Sequence, residues 1–205
     1  MIVIVDYRMG NVGSVLNMLR KIGAPAKVSA DAGEISRADR LILPGVGAFD
    51  TGMTHLNASG LLPVLREQAL ERKKPILGIC LGMQLLTHSS EEGSLPGLGW
   101  IAGATVRFRF TGDQTKLRIP HMGWNTVTPT RDHLLFRDLA DEAAFYFVHS
   151  YHVVCQHDSD VLAQAQYGYN FACAVQRDNI CGTQFHPEKS HRFGLQLLRN
   201  FAALN

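Results

Sequence analysis

Pro75-Ile76-Leu77-Gly78-Ile79-Cys80-Leu81-Gly82-Met83-Gln84-Leu85-Leu86 reads as an apolar strand that runs straight into a helix, with a cysteine at the corner. Glycines stand two residues before and two residues after the thiol. They let the backbone turn sharply and let neighbouring chain approach where a Cβ would obstruct it. This is the pattern of a nucleophile elbow. A sulfur in such a turn lies at the N-terminus of the following helix, where unpaired N–H groups and the helix dipole favour thiolate over thiol. Cys80 is therefore a candidate reactive cysteine, and a small apolar cysteine buried in a strand is the competing reading of the same residues. Gln84, four residues on, shares a helix face with Cys80. Its amide could recognise the polar end of a substrate or simply be solvated.

Outward from the elbow, the chain alternates strands and helices. Met1 to Val5 reads as a buried parallel strand, and Asn11 to Ile22 as a helix with Val12, Val15, Leu16 and Leu19 on one stripe. Val28-Ser29 is a short second strand, Arg40 to Leu43 a third that ends at Pro44, and Leu61 to Arg72 a helix leading into the elbow strand. The loop Asp6 to Asn11 follows a parallel strand and so can reach a ligand, but no GxGxxG follows it, which speaks against a dinucleotide site. Beyond the Gly- and Pro-containing segment from Gly93 to Gly99 the pattern changes. Thr105 to Phe110 alternates polar and apolar residues like a half-exposed antiparallel strand, Phe145 to Val148 is a strong strand, and Val161 to Ala165 and Phe171 to Val175 are two more. The expected fold is α/β: an open, mostly parallel twisted sheet flanked by helices, with an antiparallel strand region in the second half that packs beside the main sheet.

With 205 residues, 46% apolar and 19% charged, residues 1–205 fit one domain with a substantial core. The net charge of +2 is a mixture of signs with no long basic block, which argues against nucleic acid and against a polybasic membrane patch. Asp6 cuts off the N-terminal apolar run far short of a signal peptide or a membrane span, so a cytoplasmic protein is expected. The cysteines at 80, 155, 173 and 181 include no CxxC pair. Neither a zinc site nor a disulfide framework is expected of them.

Two further stretches carry chemistry. Pro44-Gly45-Val46-Gly47-Ala48-Phe49 is an ordinary strand-to-helix turn or, with the cysteine strand next in order, a source of backbone N–H groups. The Leu81 N–H and an amide from residues 45 to 47 could face the oxygen of a tetrahedral intermediate at Cys80. The final strand, Ile180 to Phe185, delivers His186-Pro187-Glu188. In an extended segment residues i and i+2 point the same way, so His186 and Glu188 suit a base and the carboxylate that orients it. A polar surface turn is the alternative. Ser190 reads as the N-cap of a last helix with Phe193, Leu197, Phe201 and Leu204 on its apolar stripe. Among the remaining histidines, His149 and His152 come nearest to a metal-like spacing, but without a third ligand they read as structural strand-end residues.

Together, the elbow Gly78 to Gln84, the loop Pro44 to Gly47 and the terminal His186-Pro187-Glu188 resemble the class I, triad-type glutamine amidotransferases. Pro120 to Asn125, Tyr146 to Tyr151 and Gln184 to Ser190 resemble, within that class, the glutaminase subunits of imidazole glycerol phosphate synthase. The resemblance implies Cys80 as nucleophile, His186 as general acid and base, and Glu188 as its orienting carboxylate. It implies that Gly45, Val46, Gly47, Leu81, Gln84, Ser150 and Tyr151 hold L-glutamine, with the Leu81 N–H in the oxyanion hole and a flip of the Val46 peptide as a coupling device. It also implies that Asn11, Met122, Trp124, Asn125, Tyr146 and Lys189 lie toward the cyclase half of a heterodimer, a (β/α)8 barrel that receives the ammonia. No metal or organic cofactor is expected. Arg8 stands where a glycine is more usual in the family. A stand-alone hydrolase of γ-glutamyl compounds and a non-catalytic binding module are the rival functions.

Overall fold

The computed structural model describes residues 1–204. Its parallel half is built from β1 (Ile2–Val5), α1 (Val12–Lys21), β2 (Ala26–Ser29), α2 (Ala32–Ser36), β3 (Arg40–Gly45), α3 (Phe49–Ala58), α4 (Leu62–Arg66), β4 (Ile76–Cys80) and α5 (Leu81–Leu85). The second half supplies β5 (Ser89–Ser90), β6 (Gly103–Arg107), β7 (His121–Thr126), β8 (Thr128–Pro129), β9 (Ala144–His149), β10 (Tyr151–Cys155), β11 (Val161–Tyr167), β12 (Tyr169–Arg177), β13 (Ile180–Thr183) and α6 (His191–Ala203).

The main sheet has the order β2-β1-β3-β4-β13-β12-β10-β6-β5, with β11 pairing to β12 and β8. From β2 to β13 every pairing is parallel. From β13 outward the sheet continues antiparallel through β12, β10 and β6. The expected α/β class and the antiparallel second half are both present. Part of that second half lengthens the main sheet rather than packing beside it, and among the described residues only the ribbon β7–β9 forms a separate sheet. The inner parallel strands β1, β3 and β4 are buried on both faces, which explains their continuous apolar sequences. Because side chains alternate along a strand, Ile2, Ile4, Ile42, Leu77 and Ile79 join a core under α1 and α6. Val3, Val5, Leu41, Leu43 and Ile76 join a second core with Phe49, Leu56 and Leu85.

Three local expectations need correction. The single helix from Leu61 to Arg72 is instead α4 followed by a π-helical turn, Glu67–Glu71. There the Ala69 carbonyl accepts from Asn179 Nδ2 at 2.9 Å and the Gln68 carbonyl from the Lys74 N–H at 2.9 Å, so outside donors replace the regular ladder. The strand expected from Thr105 to Phe110 ends at Arg107; the Phe108 N–H still donates to the Ser150 carbonyl at 3.1 Å, and its ring packs against those of His152, Phe171 and Phe110. The last strand stops at Thr183, where its parallel pairing with β4 ends, although the Gln184 N–H still donates in register to the Cys173 carbonyl of β12 at 2.8 Å.

The sheet order is what assembles the site. Final strand β13 inserts beside β4, and β3 lies on the other side of β4, so the loops after β3, β4 and β13 emerge together at one carboxyl edge. Gly45 is in register with Cys80, and Thr183 with Ile79.

Candidate active site

Cys80 adopts φ 54° and ψ −109° at the junction of β4 and α5. A non-glycine residue at positive φ is strained by roughly 1–3 kcal/mol and persists only where its surroundings over-determine it. Here they do. A Cβ on Gly82 would lie 1.8 Å from the Leu43 carbonyl oxygen, and one on Gly78 would lie 2.7 Å from the Gly82 carbonyl oxygen. The paired glycines thus let the first turn of α5 press against β3 and β4, which forces the corner and leaves the sulfur facing a cavity.

His186 Nδ1 and Glu188 Oε1 are 2.8 Å apart, with side chains only 1% and 3% exposed. The reason differs from the expected extended geometry. Pro187–Lys189 is one 3-10 turn, which folds Glu188 back against the ring. Ser190 precedes α6 as expected, but its side chain does not cap the helix. Its Oγ donates to the His186 carbonyl at 2.6 Å and accepts from the Tyr146 N–H at 3.0 Å, while the His186 N–H donates to the Tyr146 carbonyl at 2.9 Å. The backbone beneath the imidazole is therefore clamped to β9. With the carboxylate holding the proton on Nδ1, Nε2 is left to exchange a proton; it has no hydrogen-bond partner of good geometry among the described residues. Burial pulls the His186 pKa down, but the adjoining Cys80 and Glu188 outweigh it and raise it to about 10.

A cavity of about 330 Å³ opens over the sulfur, lined by Val46, Gly47, Cys80, Leu81, Gln84, Ser150, Tyr151 and His186. Those expected residues converge; Gly45 does not line it. Gly45 sits at the end of β3 behind Cys80, where a Cβ would lie 2.7 Å from the Tyr7 hydroxyl and 2.9 Å from the Gly82 nitrogen. Tyr7 in turn donates its hydroxyl to the Pro44 carbonyl at 2.7 Å and props the loop from below. Burial, and behind it the Cys80 charge, hold its pKa well above the usual phenol range. Gln84 is buried, so the solvated reading fails. Its Nε2 donates to the Tyr151 carbonyl at 3.2 Å and to Gln184 Oε1 at 3.1 Å, and Gln184 Nε2 reaches Cys80 Sγ at 3.7 Å.

Glu92 and Gln184 are site residues that sequence reasoning missed. Glu92 Oε2 accepts from the N–H of Phe49, the first residue of α3, whose N-cap Ala48 offers no side chain. Its carboxylate also borders the cavity, but nothing in Glu91-Glu92-Gly93 marks it as more than a turn. Gln184 lies two residues before His186 on the same strand end, which was the available signal.

The residues expected at a partner face divide into two groups. Met122 and Trp124 are 62% and 50% exposed on one face of β7, opposite Val148 and Tyr146 of β9. Lys189 Nζ lies 5.6 Å from the Tyr146 ring centroid, and Trp124 stacks on His191 at 5.3 Å. Val46 is exposed as well. Asn125 points the other way, donating to the Gln166 carbonyl at 2.9 Å. Asn11 is exposed and accepts from the Ser14 N–H at 3.3 Å as the N-cap of α1. Arg8, in the same loop, has φ 66°, a conformation that suits glycine.

His149 lines the cavity and is not merely a strand-end residue; His152 hydrogen-bonds the Tyr169 hydroxyl at 2.9 Å. Burial lowers His121 to about 4 and His149 to about 3. Between those values and the unfolded value of about 6.5 the unfolded chain binds more protons, so stability falls as pH drops through that window. His186 has the opposite sign, but its contribution changes only between about 6.5 and 10. We expect Tm to fall between pH 7 and pH 4.5, and to fall less in His121→Phe; an equal drop in both proteins would contradict the assignment.

Among the described residues, no group of three or more His, Cys, Asp and Glu is placed to hold a metal, and no helix is long and apolar enough to cross a membrane. A family model described as "Glutamine amidotransferase class-I" matches residues 3–204. "Imidazole glycerol phosphate synthase subunit HisH 2" of Pseudomonas aeruginosa is 52% identical over 204 residues, covering 100% of both chains. The protein of the same description from Methanococcus maripaludis is 52% identical over 201 residues, covering 98% of each. In fold alone, the chain is similar to PurLQS from Thermotoga maritima, with TM-score 0.72 at 19% identity, covering 98% of this chain and 96% of that one. It is similar in the same way to a glutamine amidotransferase from Thermotoga maritima, with TM-score 0.64 at 16% identity, covering 98% and 81%.

Proposed function

This chain belongs to the class-I glutamine amidotransferase family, and on that premise we propose that it is the glutaminase subunit of an imidazole glycerol phosphate synthase, working in histidine biosynthesis. It hydrolyses L-glutamine to L-glutamate and ammonia and passes the ammonia to a cyclase partner. The observation that carries this reading is the strained Cys80 corner facing the same cavity as an imidazole backed by a buried carboxylate.

In the proposed reaction, the Cys80 thiolate attacks the side-chain amide carbon of glutamine. The carbonyl oxygen becomes an oxyanion, held by the Leu81 N–H and an N–H from the Val46–Gly47 loop. The C–N bond then breaks as imidazolium at His186 gives its proton to the departing nitrogen, leaving a γ-glutamyl thioester and ammonia. His186 next takes a proton from water, whose oxygen attacks the thioester carbon. The C–S bond breaks, the new carboxyl group gives up its remaining proton to solvent as glutamate leaves, and the thiolate–imidazolium pair is restored. Glu188 fixes the ring and stabilises its cationic form throughout. Gln84, Ser150 and Tyr151 line the bound substrate, and the Glu92 carboxylate complements its α-ammonium. No step calls for a metal or a cofactor.

Residues 1–205 act as one glutaminase domain and leave the acceptor chemistry to the partner. We assign that partner a (β/α)8 barrel in a cytoplasmic heterodimer, making imidazole glycerol phosphate and AICAR. The exposed Met122 and Trp124, beside Tyr146 and Lys189, supply aromatic and apolar anchors of the kind that dominate interfaces. The test is co-purification with the cyclase followed by glutamate release with and without its nucleotide substrate. We expect release only from the complex and faster with acceptor, and a raised KM for glutamine in Glu92→Gln. Equal turnover by the isolated chain would favour a stand-alone hydrolase.

A further inference from the structure

His121 and His149 face each other directly across the β7–β9 ribbon. His149 Nδ1 lies 2.7 Å from the Tyr151 carbonyl oxygen. A carbonyl only accepts, so that nitrogen carries the proton and, in the neutral ring, Nε2 accepts. His149 Nε2 lies 2.9 Å from His121 Nδ1, which must therefore donate, leaving His121 Nε2 to accept from Asn125 Nδ2 at 3.2 Å. Each link fixes the polarity of the next. His121 is sandwiched between Tyr167 and Phe147, with ring centroids at 4.2 and 4.8 Å, and is buried. The His121–His149 link in particular is buried, so a partner lost there is not replaced by bulk water.

The Tyr151 carbonyl also accepts from Gln84 Nε2, whose second hydrogen goes to Gln184 Oε1, and Gln184 Nε2 points to Cys80 Sγ. Both amide hydrogens of Gln84 are spent inside the protein, so the atom it offers the cavity is its carbonyl oxygen, an acceptor for a substrate N–H. We propose that Asn125, His121 and His149 form a one-directional hydrogen-bond relay that positions the Tyr151 carbonyl and thereby orients Gln84 toward glutamine. It runs from the ribbon that bears Met122 and Trp124 to the wall of the cavity. His121 touches neither substrate nor sulfur and is a positioning residue. This inference rests on the glutaminase reading and deepens it.

The test compares two variants in the complex with the cyclase. His121→Phe keeps a ring of similar volume and breaks both links; His121→Asn keeps a donor at the Nδ1 position and so the link to His149. His121→Phe should raise KM for glutamine about tenfold with little change in kcat, and ammonia-supported synthesis should persist. His121→Asn should recover to within about threefold of the wild type. An unchanged KM in His121→Phe, or equal impairment in both variants, would overturn the relay in favour of packing alone. Should His121→Phe fail to fold, long-range ¹H–¹⁵N spectra of the wild-type protein at pH 7 decide the matter. Both rings must be neutral with the proton on Nδ1, and an Nε2–H tautomer at either one refutes the relay. Absence of glutamate release from the wild-type complex would instead defeat the glutaminase reading.

Discussion

Cys80→Ala abolishes glutamine-dependent synthesis by the complex, while ammonia added directly still supports it. Removing the sulfur deletes the atom that forms the thioester, and neither the oxyanion donors nor the imidazole can replace it. A loss of at least about 10⁴-fold in glutamine-driven kcat is therefore expected. The substitution also leaves the fold in place, because alanine has no γ atom to clash and inherits the same positive φ from the glycines around it. Glutamate release and ammonia-driven product formation, assayed side by side, check both halves. Loss of both activities in a folded complex would contradict the division of labour between the two proteins.

Gly82→Ala is expected to damage the protein more than any substitution in the cavity wall. The new methyl would lie 1.8 Å from the Leu43 carbonyl oxygen and 2.9 Å from its carbon. Both are backbone atoms of β3, a strand paired on both sides, to β1 and to β4. Nor can α5 retreat freely: its Leu81 and Leu85 side chains pack where α3 presents Gly52. The clash must be relieved by moving a buried strand or by opening the elbow, at a cost of more than about 3 kcal/mol. Urea unfolding, or soluble yield if the variant does not accumulate, measures this. A loss below about 1 kcal/mol would mean that the corner is far more pliable than its packing indicates.

These two residues show how the strand–Cys–helix stretch could be read without coordinates. Apolar periodicity identified β4, and glycines on either side of Cys80 foretold a turn too tight for side chains, because both are local properties of the chain. The same holds for the α/β alternation of the first half and for the His-Pro-Glu terminus as a unit. Where the local argument was wrong, as in the extended geometry assumed for His186 and Glu188, the outcome survived because a 3-10 turn brings the same two groups together.

By itself, then, the sequence determined a strand–turn–helix corner, a parallel core and the residues able to do thiol chemistry, since each follows from periodicity, glycine placement or side-chain type within a few positions. Only the tertiary structure decided that β13 inserts beside β4 and sets His186 over a sulfur more than a hundred residues earlier in the chain. It alone turned Gln84 inward, brought Glu92 to the cavity, set Gln184 against Gln84 and the Cys80 sulfur, and gave Asn125 the Gln166 carbonyl as a partner. Those outcomes depend on strand order and on which polar atoms find partners once water is excluded, and such pairings are made between segments that carry no local record of one another.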